Sequence, residues 1–135
     1  MRGIHSLVVL VVLAGVVRAE ESEPFSAAEV ASWCEPYRTA VITGDKIAVR
    51  ATAASRVCYG AFVAIQQLMG SSWGTSPGSI LRTCEPPTSG LVELIKVFLL
   101  YVDQHPERGH EKFTDIALVS LWKAYPCATT PSAKP

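Results

Sequence analysis

Four cysteines, Cys34, Cys58, Cys84 and Cys127, constrain this chain more than any other feature. Their gaps of 24, 26 and 43 residues contain no C-x-x-C pair and match no zinc-finger spacing. In a short exported chain an even cysteine count reads as a bridge framework, and four cysteines allow three pairings. Hairpin geometry selects one of them, because residues equidistant from an antiparallel corner lie opposite each other. The midpoint of Cys34 and Cys58 is position 46, beside the turn-like Thr43-Gly44-Asp45-Lys46. The midpoint of Cys84 and Cys127 falls between His105 and Pro106. The expected bridges are therefore Cys34–Cys58 and Cys84–Cys127, each straddling its own corner. Closing loops of this size stabilises by about 3–4 kcal/mol per bridge, which matters to so small a core.

Bridges need an oxidising compartment, and the start of the chain reads as a route to one. Arg2 and His5 precede an apolar run of 11 residues, Leu7 to Val17. Val17 and Ala19 then stand at the small-residue positions of a cleavage site, giving a signal peptide over residues 1–19. Spanning a bilayer takes about 20 apolar residues, so the run reads as cleavable rather than as an anchor. No cysteine follows the cut, which argues against a lipoprotein. The expectation is a secreted or periplasmic protein with no membrane contact after cleavage.

Removing residues 1–19 leaves 116 residues, one domain in size. All 12 acidic residues stay while Arg2 and Arg18 leave, so the formal charge is −2. That balance, with no basic block, offers no footing for nucleic acid or an anionic membrane. The chain has no Asn and hence no N-glycosylation sequon. Residues 20–25 and 128–135 read as a disordered leader and a disordered tail, leaving a domain over 26–127.

Within that domain the apolar period is helical. Ser26 with Glu29 three positions on forms a capping-box pattern. Val30, Trp33, Cys34 and Tyr37 follow at helical spacing, and Pro36 should end or kink this first helix near Cys34. A second helix places Ala54, Cys58, Ala61, Phe62, Ile65, Leu68 and Met69 on one face, with Gly70 as a stop. Ser71 to Ser79 is the longest loop. A third helix, capped by Thr88 or Ser89, buries Leu91, Leu94, Ile95, Phe98, Leu99 and Val102 and ends at His105 before Pro106. A fourth runs from about His110 to Tyr125, with Phe113, Ile116, Ala117, Ser120, Leu121 and Ala124 inward. The fold class expected is all-α, a small disulfide-linked bundle of four to five helices arranged as two helical hairpins.

Between the last two helices lies Asp103-Gln104-His105-Pro106-Glu107-Arg108-Gly109-His110-Glu111-Lys112, where two of the three histidines meet three carboxylates. A metal site would need a third converging ligand, and the histidines lack the i, i+4 spacing of a helical zinc pair. A cysteine nucleophile is excluded if every cysteine is bridged. No nucleophile–base–orienter set can be assembled, so the chain reads as no enzyme, with no cofactor. Pro106 and Gly109 make the segment a helix–helix corner. His105 would close one helix and His110, beside Glu111, would open the next.

Taken in order, "CYGAFVAIQQLM", "CEPP", "LVELIKVFLLYVDQHPERGH" and "IALVSLWKAYPC" resemble the Rap/Tai family of type VI secretion amidase immunity proteins. The resemblance spans about Cys34 to Cys127. Gly60, the corner His105-Pro106-Glu107 with His110, and Pro126-Cys127 carry it. Pro36 and the pair Ala61-Phe62 depart from the pattern. The resemblance implies an exported, bridged helical protein that binds and blocks a peptidoglycan amidase effector, often as a homodimer.

Candidate partner-binding residues follow from the residues themselves. Leu118, Trp122 and Tyr125 fall on the fourth helix away from its core stripe, and Val97 and Leu100 lie among polar neighbours on the third. Trp is the residue type most enriched at binding hot spots. Trp73 and Ser72 in the long loop, and His105, Glu107, Arg108 and His110 at the corner, complete the set with Leu118 and Trp122. The alternative class is a periplasmic binder of apolar ligands or client proteins with no toxin partner. A hydrolase is the third.

Overall fold

The computed structural model describes residues 25–44, 46–71, 83–84 and 89–127. The signal peptide, leader residues 20–24, the tail 128–135, and the loop candidates Ser72 and Trp73 lie outside them. Within them the architecture is mainly helical: α1 (Ala27–Cys34), α2 (Ala53–Gly70), α3 (Leu91–Gln104) and α4 (Phe113–Ala124). Two short 3₁₀ turns, Glu35–Tyr37 and Pro106–Arg108, follow α1 and α3. Both expected bridges are present, with Cα–Cα distances of 5.3 Å for Cys34–Cys58 and 4.9 Å for Cys84–Cys127.

Local chemistry accounts for most boundaries. The Ser26 hydroxyl accepts from the Glu29 N–H at 3.2 Å, closing the start of α1. Pro36 does not break the chain outright; it sits in the first turn of a 3₁₀ segment, where its missing N–H is not needed. Thr52 and Ser55 exchange side chain and backbone in a reciprocal box that starts α2. At α3 the cap is Gly90, with no side-chain bond, rather than Ser89.

Four expectations need correcting. The fold is not purely helical, because Val41–Thr43 (β1) pairs antiparallel with Lys46–Ala48 (β2), Ile42 opposite Ile47. Thr43 opposite Lys46 leaves a tight turn in which Gly44 takes φ +62°, a conformation that favours glycine. Leu68 is 46% exposed, not in the core, since it lies on the flank of α2 shared with Val57; Ala124 is also exposed. The fourth helix begins at Phe113, three residues after His110, because Lys112 is extended and bridges back to Ser26. Phe25, assigned above to the leader, is held: its carbonyl accepts from the Phe113 N–H at 2.9 Å and its ring meets Trp33 edge-on.

The core is a single cluster fed by all four helices. At its centre Phe62 of α2, Phe98 of α3 and Phe113 of α4 form a triangle with ring centroids 5.4–5.6 Å apart. Tilted and edge-to-face contacts of this kind add about 0.5–1.5 kcal/mol each to the area term. Because α1 packs against α2, α3 and α4 together, the two helical hairpins share one interior.

Candidate functional site

The corner between α3 and α4 is where the sequence concentrates its polar chemistry, and the structure shows how it is held. Helix α3 ends at Gln104, and the His105 N–H is taken up by the carbonyls of Tyr101 and Val102. Pro106–Arg108 then makes one 3₁₀ turn. Gly109 packs against α1 so closely that a Cβ there would stand 3.1 Å from the Ala28 Cβ and 3.3 Å from the Pro106 carbonyl. Its φ is −59°, so close approach, not backbone freedom, requires the glycine.

The start of α1 provides the other half of this contact. A helix leaves its first N–H groups without intrahelical partners. Here the Ala27 N–H donates to the Glu111 carbonyl and the Ala28 N–H to the Gly109 carbonyl, both at 2.8 Å. The corner therefore caps α1, and α1 fixes the corner.

Arg108 braces the segment from within. Its Nε and Nη2 reach Glu111 Oε1 and Oε2 at 2.6 and 2.8 Å, a two-pronged pair, and its Nη1 donates to the Tyr101 hydroxyl. The Tyr101 ring gathers three cationic or titratable groups: the His105 ring at 4.4 Å, the Arg108 guanidinium at 5.8 Å and Lys123 Nζ at 5.2 Å. Arg108 holds the Glu111 carboxyl below its ordinary range. Glu107 is likewise lowered, first by its own backbone N–H and then by His105, whose Nδ1 lies 3.3 Å away. In the last turn of α3, beside the corner, Asp103 takes both terminal nitrogens of Arg38, which also binds Glu35.

The candidate residues divide accordingly. His105, Glu107, Arg108 and His110 come together at the corner, with Glu107 and His110 exposed. Glu111, expected to favour a helix start, serves Arg108 instead. Leu118 and Tyr125 are half-buried against the core, while Trp122 projects with 53% of its surface exposed. Cys34, Cys58, Cys84 and Cys127 are all consumed in bridges. Tyr101 and Lys123, not singled out in the sequence, tie the corner to the last turns of α4. Only a chain that folds brings positions 101, 108 and 123 to one ring. Among the described residues no three His, Cys, Asp or Glu side chains gather as a metal site, and no helix is long and apolar enough to cross a membrane.

An open groove of about 880 Å³ lies on another face, between the 3₁₀ turn after α1 and the segment entering α2. Trp33, Pro36 and Val49 supply apolar wall, and Glu35, Arg38 and Arg50 supply charge. No protein-family model, curated protein or solved structure matches this chain.

Proposed function

We propose that this chain is an exported binding protein that blocks a peptidoglycan amidase of a type VI secretion system, as the resemblance to Rap/Tai immunity proteins implies. The observation that carries this reading is the braced corner. Two backbone bonds from α1, the Arg108–Glu111 pair and the Gly109–Ala28 contact hold this turn in one shape. An occluding protein performs no chemistry; it needs a surface that loses little freedom when it binds. Glu107 and His110 are presented from that turn, and Trp122 offers a large apolar anchor on α4. Two disulfides suit an oxidising compartment, where an incoming cell-wall hydrolase would be met.

The ligand-binder reading gains less support, because the groove at Trp33 is open and partly charged rather than an enclosed apolar cavity. The deciding experiment is co-expression with an exported amidase encoded beside this gene, scoring lysis, followed by inhibition of the purified enzyme. Protection lost on Glu107→Lys or Trp122→Ala, with the fold intact, supports the proposal. An amidase unaffected by the wild-type protein refutes it.

A further inference from the structure

The two bridges meet solvent differently. Cys34 and Cys58 are both fully buried, sealed between α1 and α2. Cys84 is exposed and Cys127 half-buried, so the outer bridge can be approached from water. Access helps set the rate of thiol–disulfide exchange, and exposed bridges are the labile and regulatory ones.

The outer bridge also holds a turn that has little packing of its own. Beyond Leu121 the last residues of α4, Trp122, Lys123 and Ala124, are all exposed. Lys123 rests over the Tyr101 ring, and Tyr125 returns half-buried against the core. A helix end leaves its final carbonyls without intrahelical donors. Here the Cys84 N–H reaches across from the segment joining α2 to α3 and donates to the Tyr125 carbonyl at 2.9 Å. The Cys84–Cys127 bond closes over the same junction. One covalent bond and one hydrogen bond together pin the turn.

We propose that Cys84–Cys127 is a redox-operated clasp on the last turn of α4, opened by a dithiol reductant and closed again by a dithiol's oxidised form. The more exposed sulfur is the one attacked. The reductant's thiolate bonds to Cys84 Sγ, the bond to Cys127 Sγ breaks, and Cys127 leaves as a thiolate that takes up a proton. The reductant's second thiolate then attacks its first sulfur and expels Cys84, which is protonated in turn. Two electrons and two protons pass to the protein, and the reductant becomes a disulfide. The fold survives, because the Phe62–Phe98–Phe113 triangle and the sealed Cys34–Cys58 bridge lie outside the clasp. What loosens is the turn carrying Trp122. The consequence for binding rests on the function proposed above, in which Trp122 is an anchor. A loosened anchor must be ordered when the amidase docks, which weakens binding about tenfold.

The test titrates the purified, fully bridged protein with dithiothreitol. Alkylation and peptide mapping locate the open thiols, and hydrogen exchange follows the amides. Cys84 and Cys127 should be alkylated at reductant levels that leave Cys34 and Cys58 joined. The Cys84 and Tyr125 amides should then exchange roughly tenfold faster or more, with the Cys58 and Phe62 amides unchanged. Cys84→Ser/Cys127→Ser should show the same exchange without reductant, and reoxidation should restore protection in the wild type. Both bridges opening together overturns the proposal, and so does an open outer bridge that leaves the Tyr125 amide as protected as before. Amidase affinity is read separately on the closed and open forms. About tenfold weaker binding by the open form supports the switch, and equal binding overturns it. An amidase bound by neither form overturns the function proposed above, while the exchange result still decides the clasp.

Discussion

Removing the bridge with the shorter loop will cost more stability than removing the longer one, against the order that loop entropy alone gives. The sequence separations are 24 for Cys34–Cys58 and 43 for Cys84–Cys127. Chain entropy assigns about 3.5 kcal/mol to the first bridge and about 4 kcal/mol to the second at 25 °C. Burial reverses them. Cys34 and Cys58 are both 0% exposed, inside the core between α1 and α2. Cys84 is exposed and Cys127 half-buried. Replacing the inner pair by alanine removes two packed sulfurs and leaves space that neighbours fill only in part, about 1 kcal/mol each.

The double variant Cys34→Ala/Cys58→Ala is then expected to lose about 5.5 kcal/mol, against about 4 kcal/mol for Cys84→Ala/Cys127→Ala. Small domains hold only about 5–15 kcal/mol in total, so the first variant sits near the edge of folding while the second stays folded. Urea titration by circular dichroism measures both midpoints, with the m-value checking that each unfolds as one unit. Mild reductant should also open Cys84–Cys127 first. If the outer double variant proves the less stable, burial does not set the order and loop length does.

Three further outcomes are expected. Gly109→Val should destabilise by about 2 kcal/mol through overpacking against Ala28, measured by urea midpoint, whereas Gly60→Ala leaves the single chain stable or better. The lowered Glu111 and Glu107 carboxyls contribute stability that is full above their unfolded value of about 4.3. That contribution fades as pH falls through the lower folded values, and Arg108→Met should flatten the midpoint's fall between pH 5 and pH 3. Trp122→Ala, at an exposed site, should change folding by no more than about 0.5 kcal/mol yet weaken amidase binding by about 2 kcal/mol, roughly thirtyfold, read by calorimetry.

Helix existence, the two bridges and the α3–α4 corner were legible because each rests on a local or symmetric signal. Leu94, Ile95, Phe98 and Leu99 repeat at one helical period, and Pro106 can only interrupt it. The β-hairpin was not legible: three-residue strands are too short to display alternation, and all their side chains are exposed. Only Gly44 in a turn-like run hinted at it. Leu68 was misplaced for a different reason, since a helix with apolar residues on two flanks does not say which flank meets the core.

The corner shows why composition alone could not assign its side chains. Four residues there were candidates for contact with a partner, yet folding spends them unequally. The carbonyls of Gly109 and Glu111 need donors, the first N–H groups of α1 need acceptors, and their pairing satisfies both. That pairing draws Arg108 onto Glu111 and Tyr101 and stacks His105 on the same ring. These two side chains set the shape of the turn. Glu107 and His110, exposed on the same turn, are left to meet whatever docks there. Substituting Arg108 should therefore lower stability and binding together, whereas substituting His110 should change binding alone.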